Sequence, residues 1–122
     1  NHIIIYLYIS IVNEKTFSES WDDATIKLGI KEKYFFSSIK PNHKSFEEKR
    51  YWRGPVWINC NWFIHKGLMN KDQKYSNKIK ERTIRLVEKK GFHEYYSCKN
   101  GKPMGANNFS WSAALYLDLK FN

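Results

Sequence analysis

The stretch that most limits what this chain can become is Tyr51-Trp52-Arg53-Gly54-Pro55-Val56-Trp57-Ile58-Asn59-Cys60-Asn61-Trp62, in which three Trp, a Tyr and an Arg flank a Gly-Pro pair. Aromatic faces, a guanidinium and amide donors gathered at a turn are what a protein presents to a sugar: rings cover the apolar C–H face while polar groups bond the hydroxyls. The alternative is a buried aromatic cluster at a helix start. Pro55 suits the first turn of a helix, where its missing N–H has no partner to lose. Val56 to Leu68 then reads as a helix, apolar on nearly every side and therefore an inner one.

Other elements follow from periodicity. Phe17, Trp21, Ala24 and Leu28 recur at spacings of three and four, one face of a helix ending at Gly29. Residues 30–50 hold no period and read as a long loop. Asn70 or Asp72 can cap a second helix whose inner stripe is Tyr75, Ile79, Leu86 and Val87, with Gly91 ending it. Residues 92–108 carry the turn signals Asn100-Gly101 and Lys102-Pro103 and read as loop, before a buried helix from Phe109 to Phe121. The pattern is all-α, with inner, outer and inner helices alternating.

With 122 residues, 42% hydrophobic and 17% aromatic, the chain has material for one small domain or part of one. A net charge of +9 permits polyanion binding, but the lysines are scattered and interleaved with Glu and Asp, as on a solvated surface. Neither a nucleic-acid nor a membrane partner is expected. Ile3 to Val12 is apolar but too short to span a bilayer, and reads as core. Cys60 and Cys98 read as ordinary thiols; with His65 and His93 they lack the spacing of a zinc site, so no metal or cofactor is expected. His65 and His93 read as structural.

Three motifs in order carry a resemblance. Tyr-Trp-Arg-Gly-Pro-Val-Trp from Tyr51, with Asn61-Trp62, is followed by Gly91-Phe92-His93-Glu94-Tyr95 and then by Phe109-Ser110-Trp111-Ser112-Ala113-Ala114. Together they resemble the C-terminal part of glycoside hydrolase family 63, in its mannosylglycerate hydrolase and glucosidase-like branch. The likeness runs from about Phe36 to Leu119, and residues 1–12 match poorly.

The resemblance implies that residues 1–122 form one partial domain, the C-terminal portion of an (α/α)6 toroid. It also implies an inverting α-glycosidase, in which one carboxylic acid protonates the leaving oxygen and a carboxylate ~6.5–9.5 Å away activates water. Glu94 falls on the general-base position, and Tyr51, Trp52, Arg53, Gly54 and Trp57 match positions lining the sugar pocket. Tyr95 or Tyr96 is expected to orient Glu94, while Asn61, Phe109 and Trp111 read as support. Asp23 stands only 71 positions before Glu94, and helical phase puts Asp22 and Asp23 on the wet side, so the general acid is expected outside this chain. The implied partners are a small carbohydrate substrate, an α-glucoside, glucosylglycerate or a mannosylglycerate-type compound, and the N-terminal part of the same domain. A cytoplasmic location and inactivity of the chain alone go with this reading. The alternative function is a non-catalytic carbohydrate- or protein-binding helical module.

Overall fold

The computed structural model describes residues 36–39 and 41–122. The expected helix over 13–29, the apolar run before it and Asp23 lie outside the described residues. The elements are a 3-10 turn at Tyr51–Arg53, helix α1 (Ile58–Leu68), helix α2 (Gln73–Lys90), strands β1 (His93–Tyr96) and β2 (Pro103–Asn107), and helix α3 (Ser110–Phe121).

The all-α expectation is therefore corrected: residues 93–107, read as loop, form a two-stranded antiparallel sheet. The turn signals within them are the hairpin connection. Gly101 takes φ 69, the left-handed backbone that glycine adopts without steric cost, and its N–H donates to the Ser97 carbonyl at 2.9 Å. Ser97 Oγ accepts from the Lys99 and Asn100 amides and donates to Glu48 Oε1 at 2.6 Å. These strands are short and one contains Gly105, so no alternating hydrophobic pattern announces them.

A second correction concerns the start of α1. The helix begins at Ile58, because Val56 is bridged on both sides to extended chain, to Ser37 and to Tyr96. Val56 N–H donates to the Tyr96 carbonyl at 2.8 Å, Tyr96 N–H returns a bond to the Val56 carbonyl at 2.9 Å, and Ser38 N–H donates to the Pro55 carbonyl at 2.9 Å. A residue whose amide and carbonyl both serve a bridge cannot be helical, so Pro55 lies before the helix rather than in its first turn.

Around this bridge lies a core of Val56, Ile58, Leu86, Val87, Tyr96 and Cys98, with Phe46, Phe92, Leu115 and Tyr116 packed against it. Asp72 is the cap of α2, its Oδ1 accepting from the Tyr75 amide at 3.1 Å. Gly91, at φ 85, closes the other end with its N–H on the Val87 carbonyl at 2.8 Å. The buried face of α2 is Ser76, Ile79, Thr83, Leu86 and Val87, and it packs on α1. Two polar links cross that contact: Asn61 Nδ2 donates to Thr83 Oγ1 at 3.1 Å, and Ser76 Oγ lies 2.8 Å from His65 Nδ1. Cys60 and Cys98 are buried and form no disulfide, and burial pushes the Cys60 thiol up to about 12.

Side chains tie helix α3 to α1, α2 and β1. Asp118 accepts from Trp62 Nε1 at 2.6 Å and pairs with Lys66 at 2.9 Å, contacts that pull its carboxyl down to about 2. Glu88 on α2 takes Lys120 at 2.7 Å and the Tyr116 hydroxyl at 3.1 Å, and Ser112 donates to the His93 carbonyl at 2.7 Å. Yet α3 is not the buried helix its composition suggests. Only Ser112 and Leu119 are buried, while Trp111, Leu117 and Phe121 are 46%, 53% and 75% exposed. Apolar content marks a helix as able to be covered, and the covering depends on what packs beside it.

His65 supplies a pH test of the α1–α2 contact. Burial lowers its pKa, against the Ser76 carbonyl contact that raises it, so the folded chain holds the imidazole neutral. The unfolded chain takes up that proton near the ordinary histidine value of about 6.5, so stability is fully present above it and falls as pH drops through the lower folded value. The urea midpoint of the full chain should decrease between about pH 7 and pH 5, and His65→Gln should flatten that decrease.

Candidate active site

Glu94 stands at a break in the hairpin register. His93 pairs with Asn107 but Tyr95 pairs with Met104, so Gly105 and Ala106 together face the single residue Glu94. Such a bulge frees a backbone donor and re-aims nearby side chains. Here the Ala106 N–H turns to Glu94 Oε2 at 3.1 Å. Gly105 has φ 71, and a Cβ on it would stand 2.6 Å from Glu94 Oε2 and 2.6 Å from Tyr95 Cε1. Both the backbone angle and the space call for glycine.

The other carboxylate oxygen is taken from across the molecule, since the Tyr51 hydroxyl donates to Glu94 Oε1 at 2.9 Å. This bond raises the Tyr51 phenol above its ordinary pKa, with desolvation acting in the same direction. Tyr51 is a non-glycine residue at φ 27, a conformation that persists only where its surroundings hold it. They do so from several directions. Trp57 Nε1 donates to the Tyr51 carbonyl at 3.1 Å. The Tyr51 ring meets Trp57, Tyr95 and Trp52 edge to face at 4.8, 5.5 and 5.6 Å. Trp52 lies flat on Trp57, 3.9 Å away and 10° from parallel.

The structure thus brings Tyr51, Trp52 and Trp57 together beside Glu94, though not in equal positions. Tyr51 is 47% exposed and Trp52 half-buried, whereas Trp57 is 2% exposed beneath them. Arg53 is engaged elsewhere: its Nε donates to the Ser45 carbonyl at 3.0 Å and its guanidinium pairs with Glu47 at 2.8 Å. Gly54 is buried, its N–H on Ser38 Oγ at 3.0 Å, and a Cβ there would collide with the Glu47 carbonyl and lie 2.8 Å from Glu48 Cα. Arg53 and Gly54 fasten the aromatic turn to residues 45–48.

Sequence reasoning missed Gly105, the Ala106 amide and the identity of the tyrosine on Glu94. An isolated Gly among strand-forming residues is a bulge signal, but only once a strand is suspected. Tyr96 does not reach the carboxylate; its buried hydroxyl donates to the Gly91 carbonyl at 2.7 Å and accepts from the His93 amide at 3.1 Å. His93 serves through its backbone, Asn61 is buried against Thr83, and Phe109 lies at a tilt to half-exposed Trp111, centroids 6.5 Å apart. Among the described residues, no group of three or more His, Cys, Asp and Glu side chains could hold a metal ion.

The family model of the mannosylglycerate hydrolase MGH1-like glycoside hydrolase domain matches residues 2–112. The chain belongs to this family. It is 42% identical over 92 residues to the mannosylglycerate hydrolase of Thermus thermophilus, covering 75% of this chain and 22% of that protein. It thus spans about a fifth of the length of that relative. The crystal structure of a glycoside hydrolase family 63 mannosylglycerate hydrolase from Thermus thermophilus in complex with glucose superposes with TM-score 0.80 at 32% identity, covering 93% of this chain and 30% of that one. The same enzyme in complex with Tris and D-glycerate gives TM-score 0.80 at 32% identity, covering 93% and 28%.

Gly105→Ala tests the bulge. It should lower stability by roughly 1–3 kcal/mol, through the strained φ and the contact with Glu94 and Tyr95. Urea unfolding of the full chain reads the loss, and the Ala106 amide resonance should shift as its bond to Glu94 lengthens.

Proposed function

We infer that this chain supplies the general base and one wall of the sugar site of an inverting α-glycosidase. The observation that carries this reading is Glu94, a carboxylate with a hydrogen-bond donor on each oxygen, beside a half-exposed aromatic cluster, in a chain of this family. In this reading Glu94 accepts a proton from the attacking water, so the water becomes the nucleophile at the anomeric carbon. A second carboxylic acid, supplied from outside this chain, protonates the leaving oxygen. Trp52 and the exposed edge of Tyr51 cover the apolar face of the sugar, Trp57 backs them, and Arg53 and Gly54 hold the turn in place.

The substrate class is a small α-glycoside of the mannosylglycerate, glucosylglycerate or α-glucoside type. The name of the Thermus thermophilus relative, mannosylglycerate hydrolase, and the structures of a mannosylglycerate hydrolase of that species with glucose and with Tris and D-glycerate support this class. The segment completes an (α/α)6 toroid in this reading, the rest of that domain being its protein partner, and works in the cytoplasm. No helix among the described residues is long and apolar enough to cross a membrane. The exposed apolar face of α3 supports the need for further helices.

Two measurements test the proposal. The full chain alone should release no detectable sugar from mannosylglycerate or glucosylglycerate, because one carboxylate cannot act as acid and base on opposite faces of the ring. A chimera in which the chain replaces the matching segment of the Thermus thermophilus mannosylglycerate hydrolase should hydrolyse mannosylglycerate, and Glu94→Gln should lower its kcat by about 10²–10⁴-fold. Full activity of the Glu94→Gln chimera would exclude Glu94 as the base and favour a binding module.

A further inference from the structure

We propose that Tyr51 is a positioning residue for Glu94, and that the Trp52–Trp57–Tyr95 cluster exists as much to hold the Tyr51 hydroxyl as to meet a sugar. The proposal rests on the reading of Glu94 as general base and goes beyond it, because it changes what the aromatic turn does in the reaction.

Three independent features converge on the Tyr51 hydroxyl. Its bond to Glu94 Oε1 joins residues 43 positions apart, the cluster's direct link from the turn to the carboxylate. Its backbone is strained at φ 27, and Trp57 Nε1 donates to the carbonyl of the same residue at 3.1 Å. Its ring is boxed edge-on by Trp57, Tyr95 and Trp52. A residue serving only as a sugar platform needs a free ring face, and nothing in that role calls for a strained backbone or a hydroxyl committed to a carboxylate. Trp57, at 2% exposure, cannot be a platform at all, yet it makes the contacts that fix Tyr51.

A Glu carboxylate bonded at one oxygen alone can still pivot about that contact, because its terminal torsion is broad. The Ala106 amide takes Oε2 and the Tyr51 hydroxyl takes Oε1, so the plane of the carboxylate is set from two sides, one within the hairpin and one from the aromatic turn. Each oxygen keeps a further lone pair, which is what a base needs to receive a proton from water. A base held in one orientation before substrate arrives loses less on reaching the transition state.

The test separates this role from sugar contact. In the chimera, Tyr51→Phe keeps the ring and removes only the hydroxyl. Positioning predicts that kcat falls about ten- to a hundredfold with KM within about twofold. An unchanged kcat, or a rise in KM alone, would overturn the proposal in favour of sugar contact. A second readout needs no activity. In the full chain with ¹³C-labelled tyrosine, the resonance lost in Tyr51→Phe should titrate at lower pH in Glu94→Gln than in the unsubstituted chain, because the amide carries no charge to hold the phenol protonated. If that titration does not move, the contact is absent and the proposal fails. If it moves while the unsubstituted chimera is inactive, the contact stands and the glycosidase reading is what fails.

Discussion

Two backbone hydrogen bonds, between Val56 and Tyr96, set the relation on which the rest of this structure depends. Val56 follows the Gly-Pro pair and precedes Trp57; Tyr96 closes the strand that carries Glu94. Backbone pairing leaves little play along the chain, so bridging these residues fixes the aromatic turn against the carboxylate to within a side-chain length. Both residues are fully buried in the core with Leu86 and Val87 of α2, where an unpaired backbone group would be costly. The bridge also decides where α1 can begin, since Val56 has no amide or carbonyl left for a helix.

From that anchor the site is assembled by small, specific departures from regular structure. The bulge at Gly105 and Ala106 releases one amide for Glu94, and the strained Tyr51 brings one hydroxyl. Each departure is supported by something more rigid. The close approach of Glu47 and Glu48 to Gly54 pins the turn, and the stack of Trp52 on Trp57 blocks Tyr51 from relaxing. A carboxylate placed by two such distant pieces of chain can be held in one orientation while remaining only partly buried.

Helix α3 extends the same logic outward. It is fastened by charged and polar links to α1, α2 and β1, through Asp118, Glu88 and Ser112, while much of its apolar surface faces solvent. Ion pairs at its exposed rim contribute little by themselves. Their value lies in orientation, since they fix α3 with Ser112 and Leu119 buried and Trp111, Leu117 and Phe121 exposed.

Much of this was legible in the residues alone. Helix α2 shows in its apolar stripe and in the Asn70 or Asp72 and Gly91 signals at its ends, α1 and α3 show as nearly continuous apolar runs, and the order of the aromatic, Gly-Phe-x-Glu-Tyr and Phe-Ser-Trp-Ser-Ala-Ala motifs carries the family. Local signals suffice for these because capping and amphipathic faces are properties of neighbouring residues. The hairpin was not legible: its strands are four and five residues long, and their pairing partners matter more than their own propensities. Nor could sequence say which tyrosine meets Glu94, or that Trp57 lies beneath Trp52, or that Arg53 turns to Glu47. The Tyr51–Glu94 contact joins residues 43 positions apart, and for Gly105 the meaning of the bulge appears only when the opposite strand is present. The sequence by itself determined the family, the helices and the candidate carboxylate; the tertiary structure alone decided how that carboxylate is held, because hydrogen-bond geometry is set by the meeting of distant segments and by no single one of them.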